Sequence, residues 1–104
     1  MIRAFTRQFH IKGAALAADS WQVYIVRCAD DSLYTGIARD LERRIAEHNA
    51  DNGLGASYTR SRRPVTLAYR EAAADRSAAS KREYQIKQLS RAQKLALISG
   101  SDAA

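Results

Sequence analysis

The first clear pattern in the chain is a nearly unbroken apolar run, Trp21-Gln22-Val23-Tyr24-Ile25-Val26-Arg27-Cys28. Its β-branched and aromatic side chains predict a strand. A second strand-like run, Leu33 to Ile37, follows Asp30-Asp31-Ser32, residues whose short polar side chains favour turns, so the two runs read as a hairpin. Asp40 can then cap a helix that reaches about Asn49. Residues 51–57 are Gly-rich and read, with the stretch from Tyr58 to Pro64, as a loop. Pro64 has no N–H to give to a ladder, so it should stand at or before the start of a third strand, Val65 to Arg70. Alanines and good helix formers predict a second helix from about Asp75 to Leu89. Ser90 with Gln93 forms a capping box for a last short helix that Gly100 ends. The predicted order is β-β-α-β-α-α, an α+β fold.

Three features of this pattern carry chemistry. Tyr24 and Tyr34 are both even-numbered, so a hairpin loop of odd length puts both phenols on one sheet face. Arg44 and His48, four residues apart, share a face of the first helix. Two phenols, a guanidinium and an imidazole then converge as a phosphate site in outline. In the second helix Ala79, Ile86 and Leu89 form an apolar stripe, and at 100° per residue Glu83 falls inside it. A carboxylate there is costly unless it is paired, so it either meets an Arg or ligates a hard cation such as Mg²⁺. Each residue alone has an ordinary explanation: a half-buried strand Tyr, a solvated helix Arg, a His complementing the helix dipole, an internal ion pair. Their order and spacing together are what set them apart.

Charge sharpens the picture. Seventeen Lys and Arg against eleven acids leave a net charge of +6 over 104 residues, a surplus that favours polyanions, nucleic acid before an anionic membrane. Arg60, Arg62 and Arg63 in the loop are candidate backbone contacts. The single Cys28 has no internal disulfide partner, which fits a reducing, cytoplasmic setting. No apolar run approaches the roughly 18 residues of a membrane span. Residues 1–20 carry Arg3, Arg7 and Lys12, with no acid before Asp19, and read as a loosely ordered basic extension; 21–99 form one domain and 100–104 a tail.

At these residues the chain resembles the GIY-YIG nuclease superfamily, and in particular its small single-domain YhbQ-like branch. Gln22-Val23-Tyr24 and Tyr34-Thr35-Gly36 correspond to the two motifs that name the family, with Gly36 a backbone position. Asp40-Leu-Glu-Arg-Arg-Ile-Ala-Glu-His48 matches the family's Arg-and-His helix and places its functional Arg on Arg44. The family's metal-binding Glu falls on Glu83. The Tyr-Thr-Arg-Ser-Arg-Arg-Pro-Val loop and the closing Leu-Ser-Arg-Ala-Gln-Lys-Leu resemble the YhbQ-like branch. Gln22, Val23 and Thr35 depart from the motifs at backbone or packing positions. Several nuclease members have an Asn near the end of the domain, whereas no Asn follows Asn52 here.

The resemblance implies a three-stranded antiparallel sheet flanked by helices and a divalent-metal-dependent endonuclease acting on DNA, RNA being the other candidate. It implies low sequence specificity, with branched or damaged structures as candidate substrates. Glu83 would hold one Mg²⁺ or Mn²⁺ ion and Arg44 would neutralise the phosphate. Tyr34 is the first choice for general base, with His48 its rival, and Tyr24 positions the water. No membrane and no stable protein partner is expected. The competing class is a non-catalytic nucleic-acid-binding module that uses the same basic face.

Overall fold

Strands β1 (Gln22–Arg27) and β2 (Leu33–Ala38) form the expected antiparallel hairpin in the computed structural model, which describes residues 20–50 and 54–100. The extension expected over 1–20 lies, apart from Ser20, outside the described residues, as does the tail beyond Gly100. Residues 28–32 close the hairpin: the Cys28 N–H donates to Ser32 O and the Asp31 N–H to Cys28 O, both at 2.8 Å. The Asp30 carboxylate accepts from the Ser32 N–H at 3.0 Å, which is why an Asp-Asp-Ser sequence turns here. Asp31 takes the left-handed conformation, φ 71°, that Asp tolerates better than most residues.

Strand β3 (Thr66–Ala72) pairs antiparallel with β1, so β1 is central in the order β2-β1-β3. Gln22 to Val26 are buried on both faces, which accounts for a continuous apolar run rather than an alternation. β3 starts one residue later and ends two later than predicted. Val65 is excluded because its backbone is already occupied: its N–H donates to Asn49 Oδ1 at 2.6 Å and its C=O accepts from Asn49 Nδ2 at 3.0 Å. The register slips between Ile25, opposite Tyr69, and Val26, opposite Leu67, leaving Ala68 as the extra residue of a bulge.

Helices cover both faces. Tyr24, Val26, Leu41 and Val65 pack on the face that carries α1 (Leu41–Asn49). Val23, Ile25 and Tyr69 pack with Ala79, Ile86 and Leu97 from α3 (Arg76–Lys87) and α4 (Arg91–Ser99) on the other. The caps are those read from the sequence. Asp40 accepts from the Arg43 N–H and Ser90 with Gln93 completes a capping box; Gly100, at φ 84°, ends α4. Asp75 likewise caps α3 by accepting from the Ala78 N–H at 2.8 Å. One element departs from the reading: the expected loop after residue 57 contains a single helical turn, α2 (Ser57–Arg60), too short to leave a periodic pattern. Among the described residues no helix is long and apolar enough to cross a membrane.

Candidate active site

The site begins with two cross-strand pairs. Tyr24 stands opposite Gly36 and Tyr34 opposite Val26, so both phenols project from the face that carries α1. The Tyr24 ring lies across Gly36 so closely that a Cβ there would come 2.5 Å from Tyr24 Oη and 2.7 Å from Cζ. The motif glycine is thus the space in which the first tyrosine lies.

Helix α1 supplies Arg44 and His48 from one face, as their spacing requires. His48 is buried, with Nε2 at 2.8 Å from Tyr24 Oη and Nδ1 at 2.8 Å from the Thr59 hydroxyl. Thr59, on α2, is fully buried and donates to Ala56 O at 3.1 Å. Burial pushes the Tyr24 phenol up to about 12, against the pull of the Arg44 guanidinium beside it. Burial, reinforced by the positive charge of Arg44, pushes His48 down to about 4. Both groups are therefore neutral at pH 7.

Arg44 is held at Nη1 by Glu47 Oε1 at 2.9 Å and by Leu54 O at 3.0 Å, and its positive charge lies close enough to act on the Tyr24 phenol. It opens onto a groove of about 330 Å³ lined by Trp21 and Ile37 on the sheet side and by Arg39, Arg43 and Glu47 on the other. Tyr34 is half-buried, its ring edge-on to His48 at 5.4 Å and stacked on Tyr58 at 5.7 Å. Arg62 lies 4.0 Å over the Tyr58 ring, while its Nε donates to Asp30 at 3.0 Å. Arg63 donates to Ala50 O at 2.6 Å. Two of the three arginines expected to hold a nucleic-acid backbone therefore also hold the loop in place. Arg60, at the end of α2, is exposed.

Glu83 departs in part from its expected setting. Its neighbours Ala79 and Ile86 are fully buried, but its own side chain is 23% exposed and its carboxylate meets Lys87 at 3.2 Å rather than an Arg. Helix α3 packs over β1 and over β2, an edge strand, and the partial exposure of Glu83 places this point of the stripe at the margin of the sheet. The negative charge of Glu83 still reaches Tyr24 and contributes to raising its pKa. The core-facing carboxylate is instead Glu71, which accepts from the Tyr69 hydroxyl and pairs with Arg82 at 2.8 Å. Its position was hidden because the bulge at Ala68 reverses the inward parity of β3. Val65 and Leu67 pack on one face, Tyr69 and Glu71 on the other. Thr59 and Tyr58 were also missed, since a one-turn helix gives no periodic signal.

Among the described residues no group of three or more His, Cys, Asp or Glu side chains could cage a metal. The donor set suits a hydrated ion instead: a single carboxylate at the margin of the site, with water and phosphate oxygens to complete the shell, is the manner in which Mg²⁺ is commonly bound.

The GIY-YIG catalytic domain family matches residues 20–96. A UPF0213 protein of Desulfotalea psychrophila is 60% identical over 80% of this chain and 74% of its own length. A UPF0213 protein of Staphylococcus saprophyticus is 57% identical over 78% of this chain and 96% of its own. The solution NMR structure of a UPF0213 protein from Bacillus halodurans is 42% identical, covering 77% of this chain and 83% of that one at a TM-score of 0.49. The family match takes in every residue of the cluster from Tyr24 to Glu83, and the chain belongs to the GIY-YIG family of nuclease domains.

Proposed function

We propose that the protein is a divalent-metal-dependent endonuclease that hydrolyses phosphodiester bonds in DNA with low sequence specificity. One observation carries the reading: Tyr24 is hydrogen-bonded to His48 at 2.8 Å, and the charges of Arg44 and Glu83 both reach the same phenol. Phosphodiester hydrolysis requires an acceptor for the proton of water and positive charge on the phosphate.

A phenol holds its proton at neutral pH, and burial leaves Tyr24 even less ionised. Its own proton, however, has an acceptor in the neutral imidazole at 2.8 Å. Tyr24 Oη takes the proton of the attacking water as it passes its own to His48 Nε2. Among the described residues Tyr34 meets His48 through its ring edge rather than its hydroxyl, so we assign that hydroxyl to holding the water or phosphate. Arg44 presents its planar fork to the non-bridging oxygens. Glu83 is the residue that would hold a Mg²⁺ or Mn²⁺ ion, whose chemistry is to neutralise phosphate charge and stabilise the leaving 3′-oxygen.

A non-catalytic nucleic-acid-binding module is the second reading. It is favoured by the Lys87–Glu83 contact, which neutralises the carboxylate without any metal. Cleavage assays on branched, flapped, nicked and linear DNA, with RNA as a comparison, separate the two. Glu83→Gln is expected to abolish cleavage while nucleic-acid binding is retained or slightly strengthened, because a like charge near the phosphate is removed. Full activity in that variant, or no cleavage by the parent on any substrate with Mg²⁺ or Mn²⁺, overturns the enzyme reading.

A further inference from the structure

We propose that Thr59 is a positioning residue that fixes His48 as the Nδ1–H tautomer, leaving Nε2 bare to accept the proton of Tyr24. The catalytic consequence rests on the nuclease reading above; the tautomer itself does not.

The assignment follows from counting protons at both ends of a buried chain of hydrogen bonds. At one end, the Thr59 hydroxyl has a single proton, and the carbonyl Ala56 O, which can only accept, lies at 3.1 Å to take it. Toward His48 Nδ1, at 2.8 Å, the hydroxyl oxygen can therefore only accept, so Nδ1 carries the hydrogen. A neutral imidazole has one N–H, which leaves Nε2 as a lone pair facing Tyr24 Oη at 2.8 Å. At the other end, the Arg44 guanidinium beside Tyr24 has donors only and so offers the phenolic proton no acceptor. If Nε2 donated to the phenolic oxygen, the Tyr24 O–H would have no acceptor in a position only 1% exposed. Buried donors are rarely left in that state because they forfeit water without compensation. With Nε2 bare, every proton from Tyr24 to Ala56 O has a place.

The arrangement explains why a fully buried Thr stands on a one-turn helix that shows no periodic signal. The turn aims Thr59 inward at His48 while the adjacent Tyr58 stacks on Tyr34. Holding a base in one tautomer through its far nitrogen is a recurrent way to orient an imidazole toward a hydroxyl.

The test is ¹⁵N–¹H correlation spectroscopy of the His48 ring in the full chain at neutral pH, without nucleic acid or metal. The parent is expected to show a protonated Nδ1 and an unprotonated Nε2. Thr59→Val keeps the side-chain shape and deletes the hydroxyl, so it should move His48 to the Nε2–H form or a mixture, and Thr59→Ser should restore the parent pattern. In cleavage assays Thr59→Val should lower kcat by roughly tenfold or more with KM little changed, as happens when the wrong tautomer faces a reacting hydroxyl. An Nε2–H ring in the parent, or an unchanged tautomer in folded Thr59→Val, overturns the proposal. Should that variant fail to fold, the parent spectrum decides alone: Nδ1–H supports the proposal and Nε2–H ends it. A parent that cleaves nothing but shows the expected tautomer, lost in Thr59→Val, removes the nuclease reading and leaves this one standing.

Discussion

Gly36 and Tyr24 form a matched pair in which the absence of one carbon makes room for a ring. A Cβ at position 36 would sit 2.5 Å from the phenolic oxygen, so Gly36→Ala must displace Tyr24 from β2 and from His48. Overpacking of this kind costs about 1–3 kcal/mol, which urea denaturation of the variant should show together with a changed His48 ring spectrum. His48 carries a second prediction at this scale. Its folded pKa lies near 4, against an ordinary 6.5, so the unfolded chain binds the extra proton first. The stability it contributes is whole above about pH 6.5 and is lost as pH falls toward 4, by at most about 1.4 kcal/mol per pH unit. Melting curves across that window should slope for the parent and flatten for His48→Gln.

The elements are held in register by polar contacts. Glu71 on β3 is buried and joined to Arg82 on α3 at 2.8 Å, one residue before Glu83, so this pair fixes the helix that carries the candidate metal ligand. Glu71→Ala strands the guanidinium and the Tyr69 hydroxyl. With the Arg82 side chain 35% exposed, the expected loss is about 2–3 kcal/mol, below the cost of breaking a fully buried pair, and a lower Tm is the readout. Lys87 lies one turn beyond Glu83 and competes for its carboxylate at 3.2 Å. Lys87→Ala removes that competitor. The pair is partly exposed and so worth about 0.2–1 kcal/mol, and the Mg²⁺ concentration for half-maximal cleavage should fall by up to about fivefold.

At the scale of the whole molecule, a net charge of +6 is distributed unevenly in its roles. Arg62 is tied to Asp30 and to Tyr58, and Arg63 to Ala50 O, while Arg39, Arg43 and Arg44 line the groove with Trp21 and Ile37. Each phosphate contact contributes about 0.7–0.9 to the slope of log affinity against log salt. Arg43→Ala should therefore lower the slope by about one contact at little cost in Tm. Arg62→Ala should lower Tm more than it changes the slope, because the loop loses both its ion pair and its stack. A full slope change from Arg62→Ala with Tm unaltered would place the binding track on the loop instead of the groove.

Much of the design is local and therefore legible in the chain. The Asp-Asp-Ser turn, the Asp40 cap, the Ser90–Gln93 box and Gly100 each depend on residues within about one turn of themselves. The shared face of Tyr24 and Tyr34 follows from a period of two, and that of Arg44 and His48 from a spacing of four. Tertiary structure alone decided the rest. The sequence cannot show that Thr59 meets His48 across 11 residues, or that Glu71 meets Arg82 across the same separation. Nor can it show that one bulge at Ala68 turns Glu71 inward, because a change of register alters the face of every later residue without altering their order. Glu83 shows the boundary between the two. Helical periodicity placed it in the apolar stripe, but only the path of α3 over an edge strand left its carboxylate at the margin, paired with Lys87 and close enough for its charge to raise the Tyr24 phenol.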